Sequence, residues 1–134
     1  MKATVISGVD QVEVTTIADP QPAPDEVVVE VAGCGLCGTD LHILRGEFAP
    51  TLPVVPGHEF AGTVVAVGTA VDSLAPGARV AVDPSMYCYR CHYCRAGRNN
   101  LCENWGAIGV TTAGGAAEYV AVPAANCLRV PADI

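Results

Sequence analysis

The sequence predicts a mainly β domain that closes into a barrel-like shape, and three features predict it. Short runs rich in Val, Ile and Thr recur along the chain. Gly and Pro turns separate them. Only one short stretch, Thr39 to Leu44, reads as helix. At 134 residues, 51% of them hydrophobic, the chain has the size and apolar content of one domain with a real core.

Lys2 to Ile6 and Val12 to Ile17 are the first two strands, joined as a hairpin through Ser7-Gly8-Val9-Asp10. Asp19 to Pro24 alternates prolines, which fix φ and remove donors, so it is a stiff connector. Asp25 to Val31 is the next strand, with Val27, Val29 and Val31 on one face and Val28 and Glu30 on the other. Gly33 to Gly38 is a glycine-rich loop with two cysteines, and Gly46 stops the short helix that follows it. Phe60 to Val67 is a strand ended by Gly68, Ala75-Pro76-Gly77 is a turn, and Arg79 to Val82 is a strand. Ala116 to Val122 and Leu128 to Val130 are the last strands expected.

Composition narrows the function. The net charge is −7 and there is no basic run, so nucleic acid and anionic membrane surfaces are poor partners. No stretch is long and apolar enough to span a bilayer. The opening MKATVISGVD has no apolar signal core. Seven cysteines, an odd number, argue for metal-bound thiolates in a reducing cytoplasmic compartment rather than a disulfide framework. No Gly-x-Gly-x-x-Gly follows a strand, so no loop here cradles a dinucleotide pyrophosphate.

Residues 83–105 show little periodicity and hold Cys88, Cys91, Cys94 and Cys102, a C-x2-C-x2-C-x7-C pattern. Short C-x2-C steps let a loop wrap an ion, and four thiolates close a tetrahedral zinc to water. Three of the seven basic residues, Arg90, Arg95 and Arg98, fall in this loop and would offset the charge of such a site. The competing readings are disulfides or an iron–sulfur cluster. The long last gap and the missing Cys-Pro weigh against the cluster.

A second dense group is Cys37-Gly38-Thr39-Asp40-Leu41-His42 with Gly57-His58-Glu59. Cys37 and His58 suit a zinc that keeps an open position. On spacing alone His42 also reads as a surface histidine and Glu59 as a solvated carboxylate. The C-x2-C of Cys34 and Cys37 has the spacing of a redox pair but lacks its βαβ setting. Cys34 and Cys127 read as buried small apolar residues. Tyr87, Tyr89 and Tyr93 read as packing or hydrogen-bonding groups around the cysteine loop, and His92 as exposed, with competition for the loop's zinc as the alternative.

Four stretches together resemble the zinc-dependent medium-chain alcohol dehydrogenases, closest to the polyol and threonine dehydrogenase branch. They are Cys34 to His42, Pro56 to Gly62, the cysteine loop with Gly97-Arg98, and Gly115 to Tyr119. The resemblance covers essentially the whole chain. It implies a GroES-like fold for residues 1–134, with a structural zinc lobe at about 84–105. It implies a structural zinc on Cys88, Cys91, Cys94 and Cys102. A catalytic zinc falls on Cys37 and His58, with Glu59 as a ligand or its neighbour, and Thr39 and His42 match the family's proton-relay pair. The implied reaction is reversible oxidation of a small alcohol or polyol to an aldehyde or ketone with NAD or NADP. The cofactor is expected on a nucleotide-binding Rossmann domain outside this chain, and this fragment alone is expected to be inactive. A homo-oligomer, dimer or tetramer, is expected of the complete enzyme. The sequence departs from the family at Ala78, where Asp is common, and at Ala116, where an aromatic is usual. The alternative is a stand-alone zinc-binding or oligomerising module without catalysis. The Cys37, Thr39, His42, His58 and Glu59 group favours the enzyme, because a structural module has no use for a relay beside an open metal.

Overall fold

The computed structural model describes residues 1–48, 52–131 and 133–134. Strands β1 (Lys2–Gly8) and β2 (Gln11–Thr16) form the expected antiparallel hairpin, turned at Asp10 with φ +55°. The main sheet is built from β3 (Glu26–Cys34), β4 (Phe60–Val67), β5 (Arg79–Val82), β8 (Tyr119–Pro123) and β9 (Cys127–Arg129). Its order is β8-β3-β4-β5-β9, and it is antiparallel throughout. Helix α1 is Gly38–Leu44. Two short pieces, β6 (Ser85–Met86) and β7 (Gly106–Ala107), pair at the neck of the cysteine loop, which holds the one-turn helix α2 (His92–Arg95).

Alternation on the strands builds the core. Val27 and Val29 of β3 lie opposite Val122 and Val120 of β8, and Val29 also faces Val64 of β4. All five side chains are buried, together with Val80 and Val82 of β5, Phe60 and Ile108. The sheet curls because the β3–β4 register slips twice, between Val28 and Val29 and between Val31 and Gly33. Gly62 sits at this bend, where a Cβ would lie 2.0 Å from the Glu30 carbonyl oxygen. A bridge between Ala3 and Ala117, flanked by Thr4 N–H to Ala116 O (2.8 Å) and Glu118 N–H to Lys2 O (3.0 Å), ties β1 to the segment entering the main sheet. Among the described residues the other edge, β9, has no further strand beside it, and Leu128 is 61% exposed.

A second apolar cluster matters more for function. Ile6, Ile43, Val54, Ala107 and Val110 pack together and seat α1 on the barrel through Ile43. This cluster ties the helix, the segment before β4 and the neck of the cysteine loop to one another.

Several boundaries differ from the sequence expectation. Strand β3 runs on to Cys34, so Gly33 and Cys34 are paired with Ala61 and Phe60 instead of looping free. Regular pairing in β8 begins at Tyr119, because Ala116 to Glu118 turn aside to β1. The last strand starts at Cys127 and ends at Arg129. Val28 is as buried as its neighbours although it points to the other face, where Pro20, Pro22 and Tyr119 share a shallow hollow with it.

The bend makes a test. Gly62→Ala forces backbone against backbone and should destabilise the protein by about 2 kcal/mol. The urea midpoint should fall accordingly; an unchanged midpoint would show that β4 does not need glycine there.

Candidate metal centres and cavity

The four cysteines of the loop converge. The sulfurs of Cys88, Cys91, Cys94 and Cys102 all lie within 4.8 Å of one another, and none is in a disulfide. Local backbone explains the convergence. Cys91 caps α2 and its sulfur accepts the Cys94 N–H at 3.5 Å. The Cys91 N–H reaches the Cys88 sulfur (3.4 Å) and the Cys88 N–H reaches the Cys102 sulfur (3.3 Å). Sulfurs that accept N–H bonds are set up as thiolates. The backbone N–H groups of Arg90 and Cys91 hold the Cys88 thiol down at about 6. Burial, the largest influence, pushes Cys94 up to about 12. Four thiols this close cannot all ionise alone, and a soft cation among them removes the conflict.

The second donor group also assembles. Cys37, His58 and Glu59 bring their ligand atoms within 4.8 Å of one another. The β3–β4 pairing places them, because Cys34 opposite Phe60 and the bond from Gly35 N–H to Glu59 O (2.7 Å) draw the two segments together. Asp40, which sequence reasoning did not single out, locks the arrangement. Its Oδ2 accepts the Cys37 N–H at 2.9 Å, and its Oδ1 accepts the Gly57 N–H at 3.2 Å. Gly57 needs its φ of +93°, and a Cβ there would meet the Cys34 sulfur at 2.6 Å. His58 Nδ1 is buried 3.6 Å from Asp40 Oδ1, with no hydrogen-bond partner among the described residues.

Thr39, His42 and His58 line one cavity of about 500 Å³. Phe48, Trp105 and Val110 give it apolar walls, and Glu47 and Ser85 add polar groups. Glu47 was also missed from sequence. Thr39 Oγ1 lies 3.7 Å from the Cys37 sulfur. So all nine residues expected at the two sites fall into these clusters or into the wall of this cavity.

The remaining cysteines stand apart. Cys34 and Cys127 are half-buried, not fully buried as expected. Burial pushes the Cys127 thiol up to about 11 and, with Asp40 adding, raises Cys34 too. Tyr89 is 68% exposed and meets Tyr87 edge-on at 6.1 Å. His92 is exposed, as expected.

The family model for the alcohol dehydrogenase GroES-like domain matches residues 23–132. The chain belongs to this family. D-arabinitol dehydrogenase 1 of Uromyces fabae is 46% identical over 106 residues, covering 79% of this chain and 30% of that protein. L-threonine 3-dehydrogenase of Pyrococcus abyssi is 40% identical over 138 residues, covering 100% of this chain and 39% of the relative. A zinc-binding dehydrogenase structure from Sinorhizobium meliloti 1021, solved with NADP, superposes with a TM-score of 0.96 at 48% identity. It is matched over 99% of this chain and 39% of its own. The chain thus spans well under half the length of these alcohol dehydrogenase relatives. The GroES-like fold and the polyol and threonine dehydrogenase kinship are those expected from sequence.

Two outcomes follow from the geometry. Asp40→Ala leaves the buried Gly57 N–H and the part-buried Cys37 N–H without partners and should cost about 3 kcal/mol by urea unfolding, as expected for two lost charge-assisted bonds. Cys127, with its thiol near 11, should be about a thousandth thiolate at pH 8 and resist iodoacetamide. Rapid labelling of Cys127 in the folded protein would contradict its burial.

Proposed function

We propose that residues 1–134 form the catalytic domain of a zinc-dependent alcohol or polyol dehydrogenase. The observation that carries this is the placement of Cys37, His58 and Glu59 together beside a cavity also lined by Thr39 and His42. In this reading NAD or NADP is bound by a nucleotide domain outside residues 1–134. The greater length of the relatives and the NADP in the Sinorhizobium structure support it.

Both donor sets fit zinc. Cys88, Cys91, Cys94 and Cys102 make a closed all-sulfur set that would serve structure. Cys37 and His58, with Glu59 as ligand or neighbour, make a mixed set with room on the cavity side, and the orphaned His58 Nδ1 marks a ring held for a purpose. Bound by these residues, zinc would supply Lewis acidity to the hydroxyl of an alcohol.

The chain's own residues do the rest. The Thr39 hydroxyl both donates and accepts, so it takes the substrate proton and passes one on. His42, its side chain 57% exposed, carries the proton to water. Phe48, Trp105 and Val110 hold the carbon skeleton and keep water from the reacting carbon. A small neutral alcohol or polyol suits a cavity of this size. The protein works in the cytoplasm as a dimer or tetramer in this proposal. Among the described residues no helix is long and apolar enough to cross a membrane.

Metal analysis tests the assignment. Two zinc ions per chain are expected, of which about one survives mild chelation, because the closed site releases its ion more slowly. Iron, or two equally resistant zincs, would contradict it. Cys91→Ser should unfold the cysteine loop and lose the resistant ion. Thr39→Val should keep both ions and slow alcohol oxidation by about a hundredfold in the complete enzyme. Wild-type turnover across pH in that variant would remove Thr39 from the relay.

A further inference from the structure

We infer that Glu47 is the positioning residue of the proton relay, holding His42 by Nδ1 so that Nε2 is the ring atom that receives the proton. This rests on the proposed Thr39–His42 relay.

The helix end creates the pair. After α1 the chain turns through Gly46, whose φ is +72°, with Gly46 N–H bonded to Ile43 O at 3.0 Å. Glu47 N–H then reaches back to His42 O at 2.9 Å. These two bonds define a Schellman ending, in which the residue after the glycine frequently packs on the residue five before it. That contact is usually apolar. Here it joins an imidazole to a carboxylate, with His42 Nδ1 2.5 Å from Glu47 Oε2. Both side chains line the cavity that holds Thr39 and His58. Thr39 precedes His42 by three residues, so the two share one face of α1.

The chemistry follows from which nitrogen is engaged. A neutral imidazole carries its hydrogen on either nitrogen, and a carboxylate at Nδ1 selects the Nδ1–H form. Nε2 then presents a lone pair to the relay. The proton that Thr39 passes on binds there, the ring becomes cationic beside the Glu47 charge, and the same proton leaves Nε2 for water. Without Glu47 the ring would favour the opposite tautomer and present a filled N–H where an acceptor is needed. Among the described residues the other titratable group on the cavity wall is His58, which belongs to the metal-binding set.

The test reads the tautomer directly. Long-range proton–nitrogen correlation spectra would be taken on the zinc-loaded protein, with labelled histidine, at about pH 9, above the usual imidazole range. The chain has three histidines, and a His42→Asn sample identifies the signal. His42 should be the Nδ1–H tautomer in the wild type and in Glu47→Gln, whose amide oxygen still accepts, and the Nε2–H tautomer in Glu47→Ala. In the complete enzyme Glu47→Ala should lower kcat for alcohol oxidation about tenfold, less than the 10²–10⁴-fold typical of a group that itself transfers the proton, with KM little changed. Glu47→Gln should recover part of that loss. A wild-type His42 in the Nε2–H form, or a tautomer indifferent to Glu47→Ala, overturns the inference. A raised KM with unchanged kcat also overturns it and makes Glu47 a substrate contact. If the tautomer follows Glu47 but every variant, Thr39→Val included, turns over like wild type, the relay itself is what fails.

Discussion

The Asp40 carboxylate joins two parts of the chain that must meet for a site to exist. It comes from the first turn of α1, is 6% exposed, and is the one charged side chain in the core among the described residues. One oxygen takes the N–H of Cys37 and the other takes the N–H of Gly57, next to His58. A buried carboxylate is costly unless hydrogen bonds replace its water, and these two bonds do so. Neither strand pairing nor apolar packing alone fixes the distance between Cys37 and His58. The β3–β4 ladder brings the segments near, and Asp40 sets them.

The two cysteine-containing centres differ in how they meet solvent, and the fold relates them. The four-sulfur loop is closed at its neck by two residue pairs, Ser85 with Ala107 and Met86 with Gly106. Ser85 and Ala107 are also part of the cavity wall, as is Trp105, whose N–H bonds to Cys102 O at 3.2 Å. An ion that rigidifies the loop therefore also shapes one side of the cavity. The apolar cluster of Ile6, Ile43, Val54, Ala107 and Val110 connects that wall to α1 on the other side.

Much of this was legible in the sequence because it depends on local spacing. The C-x2-C steps bring three sulfurs together within a single turn, whatever the rest of the chain does. The Val runs of β3, β4, β5 and β8 alternate with the pleat, so their strands were readable. What escaped depends on pairing at a distance. The end of β3 at Cys34 follows from its partner Phe60, not from its own glycines. Val28 is buried because a remote proline connector lies beside it. Asp40 had a local sign, an acidic residue three after the helix cap, yet its second bond goes to Gly57. Glu47 had one as well, following the glycine that ends α1. The sign becomes informative only once the His42 ring is seen beside it.

One domain brings together a closed four-sulfur cluster and a mixed donor set beside a cavity. Zinc-edge X-ray absorption on the purified protein, before and after mild chelation, tests it most directly. The first shell should be of mixed sulfur and nitrogen or oxygen scatterers and become all sulfur, at the usual zinc–sulfur distance of about 2.3 Å, once the weaker ion is removed. A first shell that is all sulfur from the start, or one that keeps its nitrogen or oxygen component after chelation, would contradict it.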